Sequence, residues 1–242
     1  MGHATGFKKV GSLSVAANEE RLEELVRGAG MANAFDVDVE IITADDMAAR
    51  WPLLNPEGIL GGAWIPGDGQ ASPVDTTMAM ATVAKERGAR IFEGVSVERI
   101  RTANGRAVGV ETDQGPIDAE HVVTAAGMWS HQLGRDVGVN IPLHACEHFY
   151  LVTEPIPDLP AELPVLRDTE RCIYVKTEAG RLMVGAFEPV AKPFGMLGLP
   201  TDKPFLTLEE DWEHLAPVYE AACERIPVLN DVGIRLFFNG PE

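Results

Sequence analysis

One helix signal, at residues 72–88, constrains the fold of this 242-residue chain more than any other feature. Ser72 is a preferred N-cap residue, Pro73 suits the first helical position, and Asp75 can cap the helix start three residues after Ser72. Apolar, β-branched runs follow this helix, so helix and strand patterns alternate in the middle of the chain. In the last third of the sequence, several strand patterns are followed by a helix pattern. This order predicts a mixed α/β fold, with α+β character, whose sheet is not purely parallel.

Three further helices are predicted. One spans about 19–35, and a short one follows Thr43 and ends before Trp51. The third begins at a capping box, Thr207 to Glu210, and covers 207–226, where Pro217 should kink or split it.

Eight strands are predicted from apolar and β-branched runs bounded by turn residues. They are 90–92, 96–102, 106–112, 115–118, 121–127, 145–153, 172–177 and 182–188. The last two are joined by a turn at 178–180, and the run at 121–127 has the pattern of a buried strand.

The composition excludes several classes of protein. A net charge of −17 and a pI near 4.7 argue against nucleic acid or an anionic membrane surface as a partner. No apolar run is long enough to cross a membrane, and the first residues lack the apolar core of a secretory signal. Three widely spaced cysteines fit a reducing compartment. We therefore expect a cytoplasmic protein, or one of the mitochondrial matrix if it is eukaryotic.

Gly28 and Gly30 begin like a dinucleotide-binding fingerprint but do not complete it. Asn33 stands where the third small residue should be, and the surrounding pattern is helical. Such a fingerprint needs a strand, a tight turn and a helix N-terminus, so that backbone amides meet the pyrophosphate. We interpret the two glycines as a break in the helix.

Residues 122–130 are more informative. An apolar run ends in Ala125, Ala126 and Gly127, and Trp129 follows. Small residues at the end of a strand allow a ligand or another backbone to approach closely. The alternative is an ordinary buried strand that leads into a helix.

A regular strand around Tyr150 would place His144, Cys146, His148 and Tyr150 on one face. A cysteine and two histidines could bind zinc, but residues spaced by two lie in a row rather than tetrahedrally. We therefore predict no metal site and favour a polar face that lines a substrate cavity. There, Tyr150 and His148 would bind substrate or transfer a proton.

Nine segments together resemble the flavin-dependent D-amino-acid-oxidase-type superfamily, and within it the dimethylglycine and sarcosine dehydrogenases. They lie in the family's order across nearly the whole chain. These segments are GSLSVA (11–16), WPLL (51–54), PGDGQASPVDTTMAMA (66–81), RGARIFEGVSV (87–97), VVTAAGMWS (122–130), EHFYLVTEPI (147–156), LPVLRD (163–168), LMVGAFEP (182–189) and IPVLNDVGIRLFFNGPE (226–242).

The resemblance implies three parts. Residues 5–72 and 141–242 would form a substrate-binding domain with a mixed or antiparallel sheet, and residues 73–140 a returning part of the FAD-binding domain. Family members begin with a strand and a GxGxxG motif that hold FAD, and this chain shows neither. It therefore resembles an interior fragment, and we expect it to bind FAD weakly or not at all by itself. A sheet edge left without its neighbour could be covered by a second copy, forming a homo-oligomer.

The resemblance also implies the activity: oxidation of a small amine substrate, an N-methylated glycine such as dimethylglycine or sarcosine. Hydride would pass from the N-methyl carbon to FAD, and the carbon could go to tetrahydrofolate on a further C-terminal domain. Tyr150, His148 and Tyr174 would line the substrate cavity. The residues near the cofactor would be Val97, Ala125, Ala126, Gly127 and Trp129.

Two alternatives stay open at this stage. The chain could be a non-catalytic or truncated module without its own cofactor. It could also belong to an amine or amino-acid oxidase of the same superfamily with another substrate.

Overall fold

The structure is a computed structural model and describes residues 3–202 and 205–242. These residues divide into two compact units. The first comprises Met1–Met80, His148–Val190 and Leu208–Asn239; the second comprises Ala81–Glu147, Ala191–Thr207 and Gly240–Glu242. Each unit is described by itself below, and the predicted three-part domain division stays a prediction.

Eleven strands and five helices are found in the described residues. The strands are β1 (Ser12–Ala16), β2 (Glu40–Ile42), β3 (Gly61–Ile65), β4 (Val97–Ala103), β5 (Arg106–Thr112), β6 (Gly115–Asp118), β7 (Glu147–Thr153), β8 (Val165–Asp168), β9 (Ile173–Glu178), β10 (Arg181–Ala186) and β11 (Ile234–Pro241). The helices are α1 (Glu19–Asn33), α2 (Ala44–Arg50), α3 (Pro73–Glu86), α4 (Ser130–Asp136) and α5 (Trp212–Arg225). None of the described helices is long and apolar enough to cross a membrane.

An eight-stranded sheet dominates the first unit, in the order β11-β7-β10-β9-β8-β1-β3-β2. β1 and β8 are parallel, whereas β8, β9, β10 and β7 pair antiparallel in turn. The second unit contains a three-stranded antiparallel sheet, β4-β5-β6. The predicted mixed α/β fold is therefore confirmed.

One face of the large sheet forms the core. Leu166, Val175, Val184 and Leu151 are register partners on four neighbouring strands, and all are at most 3% exposed. Helix α5 contacts β9 and β10 on this side. Because side chains alternate along a strand, the next register row faces away from this core.

A buried ion pair lies at the edge of the same core. Arg225 at the end of α5 donates from Nε to Asp168 at the end of β8, at 2.8 Å, and the two side chains are 1% and 0% exposed. Arg225 also donates from Nη1 to the carbonyls of Asn55 and Glu57, at 2.6 and 3.1 Å. The pair thus joins α5, β8 and the loop after α2.

The predicted helices are found, with corrections at two of them. Thr43 and Asp46 form a capping box, and Ser72 caps α3 through the amide of Asp75. The break predicted at Gly28 and Gly30 is wrong, because α1 continues through both glycines.

The last helix begins later than predicted. Asp211 rather than Thr207 is its N-cap, because the Leu208 amide donates to the carbonyl of Asn239 and is held beside β11. Of the kink or split predicted at Pro217, the split is wrong, because α5 is one helix that contains Pro217, and the kink stays a prediction.

Two predicted strands are absent from the second unit. Residues 90–92 form no strand, and Ile91 and Phe92 are 41% and 60% exposed. The run 121–127 is irregular rather than a buried strand, and Val123 is 88% exposed. A strand needs a neighbour to bind its backbone N–H and C=O groups, and no described residue pairs with this run.

Candidate active site

The face of the large sheet opposite the core carries the predicted substrate-binding side chains. One register row crosses four strands on this side: Tyr150 on β7, Gly185 on β10, Tyr174 on β9 and Arg167 on β8. Arg167 is exposed, and it has no ion-pair partner among residues 3–202 and 205–242. We call this row, its neighbour His148 and the Glu188 side chain that His148 contacts the open face.

Three side chains of the open face form a hydrogen-bonded chain. His148 Nδ1 lies 3.0 Å from a carboxylate oxygen of Glu188, and His148 Nε2 lies 3.2 Å from the Tyr174 hydroxyl. The other Glu188 oxygen accepts the Phe149 amide at 2.8 Å. An ionised carboxylate only accepts, so we assign the proton to Nδ1. Nε2 is then the acceptor, and the Tyr174 hydroxyl donates to it.

The ionisation of Glu188 follows from its surroundings. The Glu188 side chain is only 8% exposed, and burial by itself raises the pKa of its carboxyl. Hydrogen bonds from His148 and from backbone amides act against burial, and together they lower the pKa below its usual 4.5. The carboxylate is therefore charged at neutral pH and orients the imidazole.

This shift predicts how stability depends on pH. Because the folded-state pKa of Glu188 is depressed, its contribution to the free energy of unfolding is fully present above about pH 4.5 and is lost as the pH falls through the folded value. We expect a Glu188→Gln variant to be less stable than the parent at pH 7, with a difference that shrinks in acid. Urea unfolding at a series of pH values measures it. A difference that is constant with pH would contradict the assignment.

Aromatic rings surround the hydrogen-bonded side chains of Glu188, His148 and Tyr174. Tyr150 stacks on Phe238, with ring centroids 4.7 Å apart, and Tyr174 lies beside Phe187 at 5.2 Å. The rings of His148 and Tyr174 are nearly parallel, at an interplanar angle of 12°. The Tyr150 hydroxyl has no hydrogen-bond partner in the described part of the chain. The open face therefore presents π-surfaces together with hydroxyl and imidazole groups.

The predicted face of four residues is only partly regular. β7 begins at Glu147, so the alternation that includes His148 and Tyr150 does not extend to His144. Cys146 pairs through its main chain with Glu242 instead. Among the described residues, no three His, Cys, Asp or Glu side chains come together to hold a metal.

The predicted cofactor residues lie in the second unit. Ala125 is exposed, Ala126 is partly buried, and both precede a 3₁₀ turn at Gly127–Trp129. The Trp129 indole donates to the carbonyl of Pro200 at 2.7 Å. Val97 begins β4 and is 43% exposed. Their role in binding a cofactor stays a prediction.

A match to a known family then decides where the chain belongs. Residues 1–241 match the model described as "DAO: FAD dependent oxidoreductase". The chain belongs to this family. The predicted superfamily is confirmed, and the structure agrees: L-proline dehydrogenase from P. horikoshii superposes with a TM-score of 0.84 at 26% identity, over 98% of this chain and 61% of that one.

Curated relatives of this DAO-family chain have several functions. A 4-methylaminobutanoate oxidase (formaldehyde-forming) of Paenarthrobacter nicotinovorans is 36% identical, and a human mitochondrial sarcosine dehydrogenase is 33% identical. The mitochondrial pyruvate dehydrogenase phosphatase regulatory subunit of Mus musculus is 34% identical. Each match covers 100% of this chain but only 29%, 26% and 28% of those proteins, respectively.

FAD is the cofactor that the family name implies, and the predicted cofactor stretch leaves open space beside its backbone at one residue. Gly127 has a left-handed φ of 53°, and a Cβ built there would meet nothing within 4 Å. A bound group could therefore approach the Gly127 backbone from the side that a Cβ would occupy.

Two residues of the open face were not singled out from the sequence. Glu188 and Arg167 both lie in segments that resemble the family, but neither was given a role. The turn at Ala179 and Gly180, with φ of 46° and 77°, sets the β9–β10 register. Counting from that turn places Gly185 beside Tyr174.

Proposed function

We propose that the protein containing this chain oxidises an N-methylated amino acid, such as dimethylglycine or sarcosine, with FAD as the electron acceptor. The observation that carries the proposal is the Glu188–His148–Tyr174 chain on an open, aromatic sheet face. The relatives that act on N-methylated substrates by name support it.

The hydrogen-bonded chain suits the removal of a proton from the substrate. Hydride can leave a carbon next to nitrogen only if the nitrogen has a lone pair, so an ammonium substrate must first lose a proton. An ammonium above Tyr174 would donate to its hydroxyl oxygen while the hydroxyl proton moves to His148 Nε2. The resulting imidazolium is stabilised by the Glu188 carboxylate at Nδ1.

The rings of the open face suit the methyl groups of the substrate. A methylated ammonium is attracted to aromatic faces within about 6 Å of the ring centroid. Tyr150 on Phe238 and Tyr174 beside Phe187 provide such faces on either side of β10. FAD, when bound, would accept the two electrons, and the residues of this chain supply binding, orientation and proton transfer.

Arg167 would bind the carboxylate of an amino-acid substrate. It lies beside Tyr174 in the register row, and a guanidinium binds a carboxylate with two parallel hydrogen bonds. We expect Arg167→Gln to raise the KM for N-methylated amino acids, lowering kcat/KM about 10- to 100-fold, since hydrogen bonds to charged groups contribute about 1.5–3 kcal/mol. Steady-state kinetics should show little change with a methylated amine that lacks a carboxylate. An equal loss of kcat/KM for both substrates would show that Arg167 does not bind the substrate carboxylate.

The test of the function uses the intact protein that contains this chain. We expect it to be yellow from bound flavin and to release formaldehyde from dimethylglycine or sarcosine. Glycine, which has no N-methyl group, is the matched control and should release none. A yellow protein that releases formaldehyde from none of a panel of N-methylated amino acids would overturn the proposal.

A second candidate function is regulatory. The relative named as a phosphatase regulatory subunit, at 34% identity, favours it. In that case the protein would have the fold of the family but would not oxidise a substrate. The same experiment separates the two, because a regulatory protein would release no formaldehyde.

A further inference from the structure

We infer that Gly185 is a positioning residue: its missing side chain lets Tyr174 lie flat across β10 and reach His148. The inference deepens the proposed function, because it assigns a role to a residue of the same site. No residue of this kind follows from the sequence pattern, since Gly185 lies inside an ordinary apolar strand.

The register shows why Tyr174 must lie flat. Tyr174 is on β9 and His148 is on β7, with β10 between them. Neighbouring strands lie about 4.8 Å apart, so the two backbones are separated by roughly 9.6 Å. A tyrosine that stood upright would hold its hydroxyl over its own strand. The observed contact of 3.2 Å between the hydroxyl and His148 Nε2 requires the side chain to cross β10.

Gly185 is the residue that Tyr174 crosses. It is the β10 partner of Tyr174, and a Cβ built on it would overlap Cζ, Cε1 and the hydroxyl oxygen of Tyr174. All three atoms, two of the ring and the hydroxyl oxygen, lie well inside van der Waals contact of that Cβ position. Any side chain at 185 would therefore lift the ring from the sheet and away from His148.

The backbone gives no other reason for glycine at this position. Gly185 is not among the residues with a left-handed φ, so an L-residue could adopt its conformation. Glycines elsewhere in the chain do have that conformation, as at Gly180 with φ 77°. The requirement at 185 is thus steric, and the three atoms nearest to the Cβ position all belong to Tyr174.

A double-mutant cycle tests this requirement. We expect Gly185→Ala to destabilise the protein when residue 174 is Tyr, raising the unfolding equilibrium constant about 10-fold. In a Tyr174→Ala background, where the ring is gone, the same change should be nearly neutral. Gly233→Ala is the matched control, because its Cβ would lie 3.5 Å from Glu154 Cγ, an ordinary contact. Equal effects of Gly185→Ala in both backgrounds would overturn the inference.

A second measurement reports on the hydrogen bond itself. The NMR signal of the His148 Cε1 proton should change in Gly185→Ala as it does in Tyr174→Phe, and it should stay unchanged in Gly233→Ala. An unchanged His148 signal in Gly185→Ala would overturn the inference even if stability falls. Neither measurement needs turnover, so a protein that fails the formaldehyde test could still pass both, and the two proposals fail separately.

Discussion

Replacing Arg225 with methionine is expected to lower the free energy of unfolding by about 3–5 kcal/mol. The change removes the guanidinium but leaves the Asp168 carboxylate 0% exposed, without the partner that lies 2.8 Å away. A buried charge without a counter-ion costs more than the ion pair itself contributes. Two loop carbonyls, those of Asn55 and Glu57, would lose their donor as well. Urea unfolding measured at neutral pH gives the difference.

An exposed ion pair serves as the control. Arg27 and Glu23 pair at 3.1 Å, with side chains 70% and 69% exposed, so Arg27→Met should change stability by less than about 1 kcal/mol. A loss for Arg225→Met as small as that for Arg27→Met would mean that the buried pair is not a structural anchor. Replacing Asp168 and Arg225 together by apolar residues should recover much of the loss.

Replacing His148 with glutamine is expected to lower kcat/KM of the intact enzyme about 100- to 10,000-fold, the usual contribution of a positioned acid or base. Glutamine can still hydrogen-bond but could not accept the proton that the proposed route passes from Tyr174. Stopped assays of formaldehyde release with dimethylglycine measure the effect. His144→Gln is the matched control, since His144 is exposed and lies before the start of β7. If the His148 variant kept most of the parent's activity, the proposed transfer of the proton from Tyr174 to His148 would be wrong.

Features that depend on neighbouring residues could be predicted from the sequence. The cap at Ser72 and the capping box at Thr43 involve residues three positions apart, and both are found. The strand at 106–112 is found with the predicted bounds. The failures involve distant partners. Leu208 is held out of α5 by Asn239, and the run 121–127 lacks a paired strand in the described residues.

Some residues of the candidate site could likewise be placed from the sequence, and others only from the fold. His148 and Tyr150 could be placed on one face because they are two residues apart on one strand. The pairing of Glu188 with His148 spans 40 residues and depends on how β10 lies beside β7. Gly185 and Arg167 likewise gain meaning only from the register of β8, β9 and β10. The turn at Ala179 and Gly180 sets the register of β9 and β10, but no short turn joins β7 to β10, so the pairing of Glu188 with His148 emerges only from the fold.

The location of bound substrate tests the central claim most directly. Trimethylglycine is a suitable probe, because its nitrogen has no lone pair and its methyl carbons cannot lose hydride to give an iminium. In a crystal structure of the intact, FAD-loaded protein, we expect its trimethylammonium group against the rings of Tyr150 and Tyr174, and its carboxylate on Arg167. Trimethylglycine bound at another surface, with the open face empty, would contradict the account.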